Sequence, residues 1–469
     1  MLRNGPESPR DLTCALQGQA LGPLIRQSLP RERLQQLHLA GRVARRLRTP
    51  VYLIGGSVRD LLLGVPSPDL DLCVVGDGIA FAHALTRELG GRARGHPTAR
   101  HFAPSGEGAP ILTADQRFLT AKIETPCGAT DIATARRESY PRPGALPRVT
   151  PGSIEDDLAR RDFTVNAMAV RLDGRGPRRL LDPLGGCEDL RRRRLRILYD
   201  RSFVDDPTRL LRAARYGARL SFRLERRTHA LAAEAVRGGC MDTVSGDRIR
   251  RELMLLLDEP RAWAGVELCA RLGLLGCLHP SLRVAPRTRA GLRRAGAICA
   301  WFSRRRAGAN PDCALARLLV VASSLSPREG RELGERLRLT TRQGRALTSY
   351  LGMGGRVRRV LSAARLRKSA LVRALEGLPA EAVVALAATS SQVVRRRCKL
   401  FLGKLLGIRP RIGGEDLARL GFEPGPAWGR ALAAARDARL DGRARSKEEE
   451  LRVARRVLRR AGERPAARD

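Results

Sequence analysis

The sequence predicts an α+β fold, with a compact head of alternating strands and helices followed by a long all-α body. Three observations predict it. Apolar patterns of strand and helix period alternate from about 51 to 172, the strand signal fades after "DPLGGCEDL", and from about 203 onward amphipathic helical segments such as "DRIRRELMLLL" and "RAWAGVELCARLGLLG" follow one another. With 469 residues, 43% of them hydrophobic, the chain can bury the cores of two to four domains.

Taken in order, residues 1–48 read as a basic helical N-terminal extension, with Leu34, Leu37 and Val43 at helical spacing before a Thr-Pro break. The head, 49–175, begins with a strand at 51–54, a helix at 57–63, a strand at 70–75 and a helix at 79–89. A hairpin then pairs "RFLTAKIET" with "TDIATARRE" across the turn signal "PCGA". The stretch 139–153, "SYPRPGALPRVTPGS", is too rich in Pro and Gly for regular structure and is expected to be a mobile loop. A helix and a strand in "IEDDLARRDFTVNAMAVRL" close the head. A neck, 176–265, and a helical body and tail, 266–469, complete the chain; the tail is expected to be a charged helix fraying into a disordered end.

The charge balance is unusual, with 88 Lys+Arg against 48 Asp+Glu and a net charge of +40. Only five of the 88 are Lys, so a coding bias toward Arg contributes, but a polyanion remains the favoured large partner. Nucleic acid is favoured over membrane because no apolar run approaches the roughly 20 residues of a spanning helix. The start, "MLRNGPESPRDLTCALQGQALG", has early Pro and Glu and no apolar core segment, unlike a secretory signal. Ten scattered cysteines without a C-x-x-C pair read as reduced core residues of a cytoplasmic protein. The six histidines never occur as His-Asp, which removes support for a histidine-based metal phosphatase module.

The chemistry concentrates in "LIGGSVRDLLLGVPSPDLDLCVV", Leu53 to Val75. Gly55, Gly56 and Ser57 fall between a strand and a helix, where glycines let backbone approach a ligand and helical N–H groups face phosphate. Arg59 could add a charged fork to a phosphate oxygen. Asp69 and Asp71 stand two apart on a strand, so both carboxylates point to one face. Like charges so placed repel unless a cation lies between them, and two such oxygens suit Mg²⁺ in a metal pair that drives in-line displacement at a nucleoside triphosphate. A tight Gly-Gly turn followed by a loop aspartate and an edge-strand charge is the plainer reading of the same residues; the combination of Gly-Gly-Ser, helix, Arg and D-x-D favours the nucleotidyltransferase.

Farther along, Asp206, Arg209, Arg212 and Arg215 of "FVDDPTRLLRAARYGARL" recur at steps of three along one helix face. A capping acid with an ion pair and a solvated arginine stripe would account for that spacing. An acceptor beside a donor fork also matches the edge shared by cytosine and adenine, where a ring nitrogen accepts and an amino group donates; uracil and guanine reverse both.

"GGSVRDLLLGVPSPDLDL", "RRDFTVNAMAV", "DPLGGCEDL", "FVDDPTRLLRAARYGARL" and "DRIRREL" occur in the order found in class II tRNA nucleotidyltransferases, and the chain resembles that family over roughly residues 50 to 280. The family comprises CCA-adding enzymes, their CC-adding and A-adding relatives, and bacterial poly(A) polymerases. The resemblance implies a polymerase-beta-type catalytic head followed by helical neck, body and tail. It implies Asp69 and Asp71 as Mg²⁺ ligands, Gly56, Ser57 and Arg59 at the triphosphate, and Arg161 rather than Arg160 against the nucleotide sugar or phosphate. Asp206 and Arg209 would read the base, with Arg212 and Arg215 near the triphosphate. Such heads need a third acid to orient the acceptor hydroxyl, and Asp131 is the candidate, although a strand-end residue after a turn is the plainer alternative. Asp162 and Asn166 would brace their turn. Two motifs depart from the family pattern: Asp205-Asp206 stands for Glu-Asp, and Asp247-Arg248 for Glu-Arg. Both keep charge and shorten reach.

The activity so implied is template-independent addition of CMP, AMP or both from CTP and ATP to the 3′ end of tRNA, with basic helices of the body contacting the acceptor arm. CC-only, A-only and poly(A) synthesis stay open, the loop at 139–153 being the region expected to govern the switch from C to A. A catalytically silent RNA-binding protein would lack the carboxylates or the Gly-Gly. A small-molecule nucleotidyltransferase would lack the Asp-x-x-Arg neck and the basic body.

Overall fold

The computed structural model describes residues 21–66, 69–90, 109–174, 178–305 and 311–462. The chain divides into two compact units, Met1–Val244 and Ser245–Asp469.

The first unit is built on a mixed sheet of seven strands: β1 (Val51–Ile54), β2 (Leu70–Val74), β3 (Ile111–Asp115), β4 (Thr120–Thr125), β5 (Gly128–Thr134), and, beyond a separate ribbon of β6 (Arg136–Ser139) and β7 (Arg148–Pro151), β8 (Ala169–Arg171) and β9 (Leu180–Leu181). Their order across the sheet is β3-β4-β5-β2-β1-β8-β9. β2 pairs in parallel with β5 and antiparallel with β1, which puts the first strands of the chain at the centre. Leu70, Leu72 and Val74 of β2 turn to a face covered by the Gly78–Glu88 helix and are at most 2% exposed. Each such side chain contributes about 1.5–3 kcal/mol of burial. Asp77 caps that helix through the Ala80 N–H at 2.9 Å.

The opposite face of β2 carries Asp71 and Cys73. Cys73 lies in a dry cluster with Ile54, Ile154, Leu158 and Ala169 under the Ile154–Ala159 helix, and burial pushes its thiol up to about 12. Asp71 stands where this cover ends. A capping box, Ser153 with Asp156, starts the covering helix.

Two sequence expectations change in this unit. The hairpin over "PCGA" has β4 and β5 as its arms, but β3 adds an edge strand that was not expected. The stretch 139–153 is not wholly irregular: Glu138 and Ser139 pair with Val149 and Arg148 in a two-stranded ribbon, so its Pro- and Gly-rich residues form the tip. Extended backbone is compatible with Pro at a ribbon edge, which composition alone does not reveal. The Arg31–Leu47 helix, expected as part of a helical extension, packs on the Gly78–Glu88 helix and β1 with Leu37, Ala40, Val43 and Ala44 buried. Residues 1–20 and the chain beyond 462 lie outside the described residues.

In the second unit the Ala380–Thr389 helix, apolar on nearly every side, packs against the Pro286–Arg305 and Cys313–Val321 helices. Near the C-terminus, Pro426–Leu440 pairs with Lys447–Arg460 around Leu417, Phe422, Ala431, Ala435 and Leu458. The Gly246–Asp258 helix carries Asp247, which bridges to Arg250 at 2.9 Å and Arg338 at 3.2 Å. Of the described cysteines, Cys73, Cys187, Cys240, Cys269, Cys299 and Cys398 are buried, and all the described ones are free thiols.

Candidate active site

A cavity of about 1010 Å³ opens on the Asp71 face of the sheet, lined by β2, β4, β5 and the Thr208–Leu220 helix. Its floor is a row of cross-strand partners. Asp71 is directly opposite Asp131 in the parallel β2–β5 pair, and Asp131 is opposite Lys122 in the antiparallel β5–β4 pair. Asp69, expected on the strand, stands just before its first residue and still lines the same cavity. Its Oδ1 accepts the Ala129 N–H at 3.2 Å.

The electrostatics of this floor are those of an acidic cluster. Burial pushes the Asp71 carboxyl up, and Arg161, Ser57 and Arg59 only partly offset it. Burial also raises Asp131, and the neighbouring Asp71 charge raises it further. Among the described residues, no three His, Cys, Asp or Glu groups are already gathered at ligand distance. Hard oxygen donors lining one cavity, with Asp131 destabilised by the other two carboxylates, nonetheless fit a divalent cation that would draw them together.

Above the floor, the turn after β1 is shaped by two close approaches. Gly55 has φ +64°, and a Cβ there would lie 2.6 Å from Arg161 Nη1. A glycine expected to admit a phosphate thus admits a guanidinium. Gly56 begins the Gly56–Leu62 helix, and a Cβ on it would meet Asp71 Oδ2 at 3.4 Å. The Ser57 hydroxyl accepts the Asp71 N–H at 2.9 Å and lies 3.2 Å from Asp71 Oδ2, so it holds the carboxylate in place.

The arginines form one wall. Arg59 is buried, donating to Asp60 Oδ1 at 2.8 Å and Asn166 Oδ1 at 2.6 Å. Arg212 donates through Nε to Asp162 Oδ2 at 2.8 Å, and its charge with the Asn166 bond outweighs burial to hold Asp162 down to about 2. Arg59, Arg212 and Arg215 all lie 5.0–5.4 Å from the centre of the Tyr216 ring, within cation–π range. Tyr216 was not singled out from sequence; an aromatic one turn after Arg212 on the same face was the available signal. Asp157 was also missed. It is fully buried, with Oδ1 accepting from Arg160 Nη2 at 2.6 Å and Oδ2 from Arg161 Nη2 at 2.9 Å, and its i+3 and i+4 spacing to the two arginines was legible.

At the other end stand Asp206 and Arg209. Asp206 Oδ1 accepts from the Thr208 hydroxyl at 2.6 Å and the Thr208 N–H at 3.2 Å, which caps the helix start. Its Oδ2 lies 3.9 Å from Arg209 Nε. Arg209, 4% exposed, is anchored by Nη1 on Ser202 Oγ at 2.6 Å and by Nη2 on the Arg160 carbonyl at 2.7 Å. Cap, ion pair and cavity lining therefore coexist in the same two side chains. Tyr140, from the tip of the ribbon, adds its hydroxyl to both Glu138 at 3.0 Å and Arg209 at 3.4 Å.

Residues 51–196 match the model of the poly(A) polymerase head domain, which defines the class as a nucleotidyltransferase head. The chain is 36% identical to an A-adding tRNA nucleotidyltransferase of Geobacter sulfurreducens across 92% of its own length, spanning about half (48%) of that protein. It is 32% identical to the A-adding tRNA nucleotidyltransferase of Halalkalibacterium halodurans, covering 92% of this chain and 94% of the relative. Among solved structures, an apo CCA-adding enzyme superposes with a TM-score of 0.76 at 29% identity, covering 94% of this chain and 99% of the other. The Thermotoga maritima CCA-adding enzyme complexed with tRNA gives 0.72 at 28%, with 94% and 99% covered. The chain belongs to the tRNA nucleotidyltransferase family.

Proposed function

We propose that this protein adds CMP, AMP or both, from CTP and ATP, to the 3′ end of tRNA without a nucleic acid template. The observation that carries this reading is the register of Asp71 against Asp131, in a cavity that Asp69, Asp206 and Arg209 also line. Asp69 and Asp71 would hold a divalent cation, Mg²⁺ in our reading, with Asp131 completing the set. When bound, that cation neutralises phosphate charge and lowers the pKa of the acceptor hydroxyl.

The chain's own residues supply the rest. Ser57 fixes the Asp71 carboxylate, and Arg59, Arg212 and Arg215, braced by Asp60, Asp162 and Tyr216, offer preorganised positive charge to a triphosphate. Arg161 sits between Gly55 and Asp157, suited to a sugar or phosphate oxygen. Asp206 would accept from the amino group of cytosine or adenine, and Arg209 would donate to the ring nitrogen. Asp131 is placed to orient the acceptor hydroxyl from the neighbouring strand. Basic clusters such as "WFSRRRAGAN", of which 306–310 lie outside the described residues, and "VVRRRCKLF" would contact the acceptor arm. No helix among the described residues is long and apolar enough to cross a membrane, and we place the protein in the cytoplasm. The two relatives named above are A-adding enzymes, which favours AMP addition to a CC-ending tRNA as the first activity to assay.

The deciding experiment supplies tRNAs ending before C, after CC and after CCA with each labelled nucleotide in turn. Incorporation must disappear in Asp69→Ala and Asp71→Ala while tRNA affinity stays near that of the wild type. Normal turnover in either variant removes the carboxylates from the chemistry.

A further inference from the structure

Outside the segment that matches the head-domain model lies a buried cation for which the proposed chemistry has no use. Arg33, on the Arg31–Leu47 helix, is 1% exposed. A guanidinium is costly to bury unless its donors find partners; the Nε of Arg33 has none, and its two terminal nitrogens converge on one turn and on Gln36. Nη1 donates to Gln36 Oε1 at 2.5 Å and reaches Thr130 Oγ1 and the Gly128 carbonyl, both at 3.4 Å; Nη2 donates to the Ala129 carbonyl. Gln36 extends the clasp through Nε2 to Thr125 Oγ1 at 3.2 Å, and that hydroxyl donates to the Gly128 carbonyl at 2.9 Å. The two residues, three apart on one helix face, therefore grip both sides of the β4–β5 turn.

What that turn does next gives the grip a functional consequence. Ala129, whose carbonyl Arg33 holds, donates its N–H to Asp69 Oδ1 at 3.2 Å. Burial lowers the Arg33 pKa, and the attractive charge of Asp69 acts against that shift. Asp69 immediately precedes β2 and is more exposed than Asp71, so its orientation depends on what it bonds.

We propose that Arg33 is a positioning residue for Asp69, fixing the β4–β5 turn so that the Ala129 N–H holds this carboxylate in the orientation that binds a divalent cation. The inference rests on the reading of Asp69 as a cation ligand. It makes the helix preceding the head a working part of the cation site. A lysine keeps the charge but cannot form the fork that spans Gln36, Thr130 and Ala129.

The test uses the full chain carrying Arg33→Lys, Arg33→Met or the milder Gln36→Met. Mn²⁺ binding is read from the free-ion electron paramagnetic resonance signal, and the Mg²⁺ concentration for half-maximal incorporation is measured separately. Removing a group that orients a ligand weakens metal binding by about ten-fold or more, so both Arg33 variants should show that loss, with the nucleotide KM at saturating Mg²⁺ within about two-fold of wild type. Gln36→Met should move in the same direction by less, and with Arg33→Lys keeps the proposal testable if Arg33→Met does not fold. A lowered melting temperature with unchanged Mn²⁺ affinity in every folded variant overturns the proposal and leaves Arg33 a packing residue. Asp69→Ala, measured alongside, separates the two readings. Wild-type Mn²⁺ binding and turnover in Asp69→Ala refute the assignment of Asp69. Loss of both in Asp69→Ala beside unaltered Arg33 variants refutes only the role of Arg33.

Discussion

Replacing Asp157 with Asn tests whether one carboxylate organises both ends of the cavity. Asp157 has no exposed side chain and accepts four bonds: Arg160 Nε and Nη2 on Oδ1 at 2.9 and 2.6 Å, Arg161 Nε and Nη2 on Oδ2 at 3.2 and 2.9 Å. Burial alone would raise its pKa, but the two arginines hold it below the ordinary carboxylate range. Asn preserves the shape, removes the charge and turns an amino group toward one of two donor forks. Removing one partner of a buried ion pair costs about 3–5 kcal/mol. Arg160 keeps Glu138 at 2.7 Å, so the loss should fall at the lower end, about 3 kcal/mol. In a unit the size of Met1–Val244 that is a drop of roughly 6–12 °C in melting temperature. Incorporation should fall as well, because Arg161 loses its orientation over Gly55 and Arg160, whose carbonyl accepts from Arg209, loses one of its two carboxylate partners. Thermal unfolding followed by circular dichroism, with single-turnover incorporation, reads both effects. A variant melting within about 3 °C of the wild type would refute the reasoning, since the fork would then carry little of the site's order.

Gly55→Ala should both destabilise the head, by about 1–2 kcal/mol from the positive φ alone, and displace Arg161; wild-type incorporation in a folded Ala variant would show that the close approach is incidental. Asp162 is depressed to about 2 against roughly 3.9 unfolded, so its stabilisation, about 2.6 kcal/mol, is complete above about pH 5 and lost as pH falls through 2. The unfolding free-energy gap between wild type and Asp162→Asn should therefore narrow from pH 5 to pH 2, and a gap independent of pH counts against the ion pair with Arg212. Replacing Asp206 and Arg209 together by Ala should slow incorporation and let UTP and GTP compete better with CTP and ATP. If the slowed enzyme keeps its original preference, these residues are only a helix cap and an ion pair.

The sequence made the floor of the site legible because its signals are local. Two aspartates two positions apart in a strand pattern are expected on one face, and a Gly-Gly-Ser after an apolar strand to turn into a helix. Asp131 was reached only through the resemblance, since nothing local says that β5 lies parallel to β2 and in register with it. The contacts of Arg33 were invisible for the same reason: its partners are about 95 residues away, across a turn. The loop at 139–153 misled because composition reports the tip of a ribbon more strongly than its arms. Tyr216 and Asp157 were readable at helical spacing, but an aromatic among arginines and an acid before them are ordinary helix features until burial is known.

Burial also changes what the net charge of +40 means. Of the 88 basic residues, 83 are Arg. Among the described residues, Arg33, Arg59, Arg209 and Arg317 are at most 6% exposed, and their terminal guanidinium nitrogens bond in the directions of a planar fork, while Nε of Arg33 and of Arg317 is left without a partner. Arg317 shows the principle away from the cavity, donating from Nη1 to two carbonyls, of Leu257 at 2.6 Å and Glu259 at 2.9 Å. Arg33 and Arg317 thus fasten backbone carbonyls outside the cavity. Others in the cavity wall, Arg160, Arg161 and Arg212, are already paired with Glu138, Asp157 and Asp162. The charge available to RNA is therefore smaller than composition suggests, and the salt dependence of tRNA binding should reflect the phosphates contacted rather than the total excess. What the internal arginines provide is a chain of directional bonds. Arg209 holds the Arg160 carbonyl, Arg160 and Arg161 share Asp157, and the Arg161 charge acts on Asp71. A lysine at any of these positions would keep the charge and lose the direction, so the order of the site depends on geometry that the charge count does not contain.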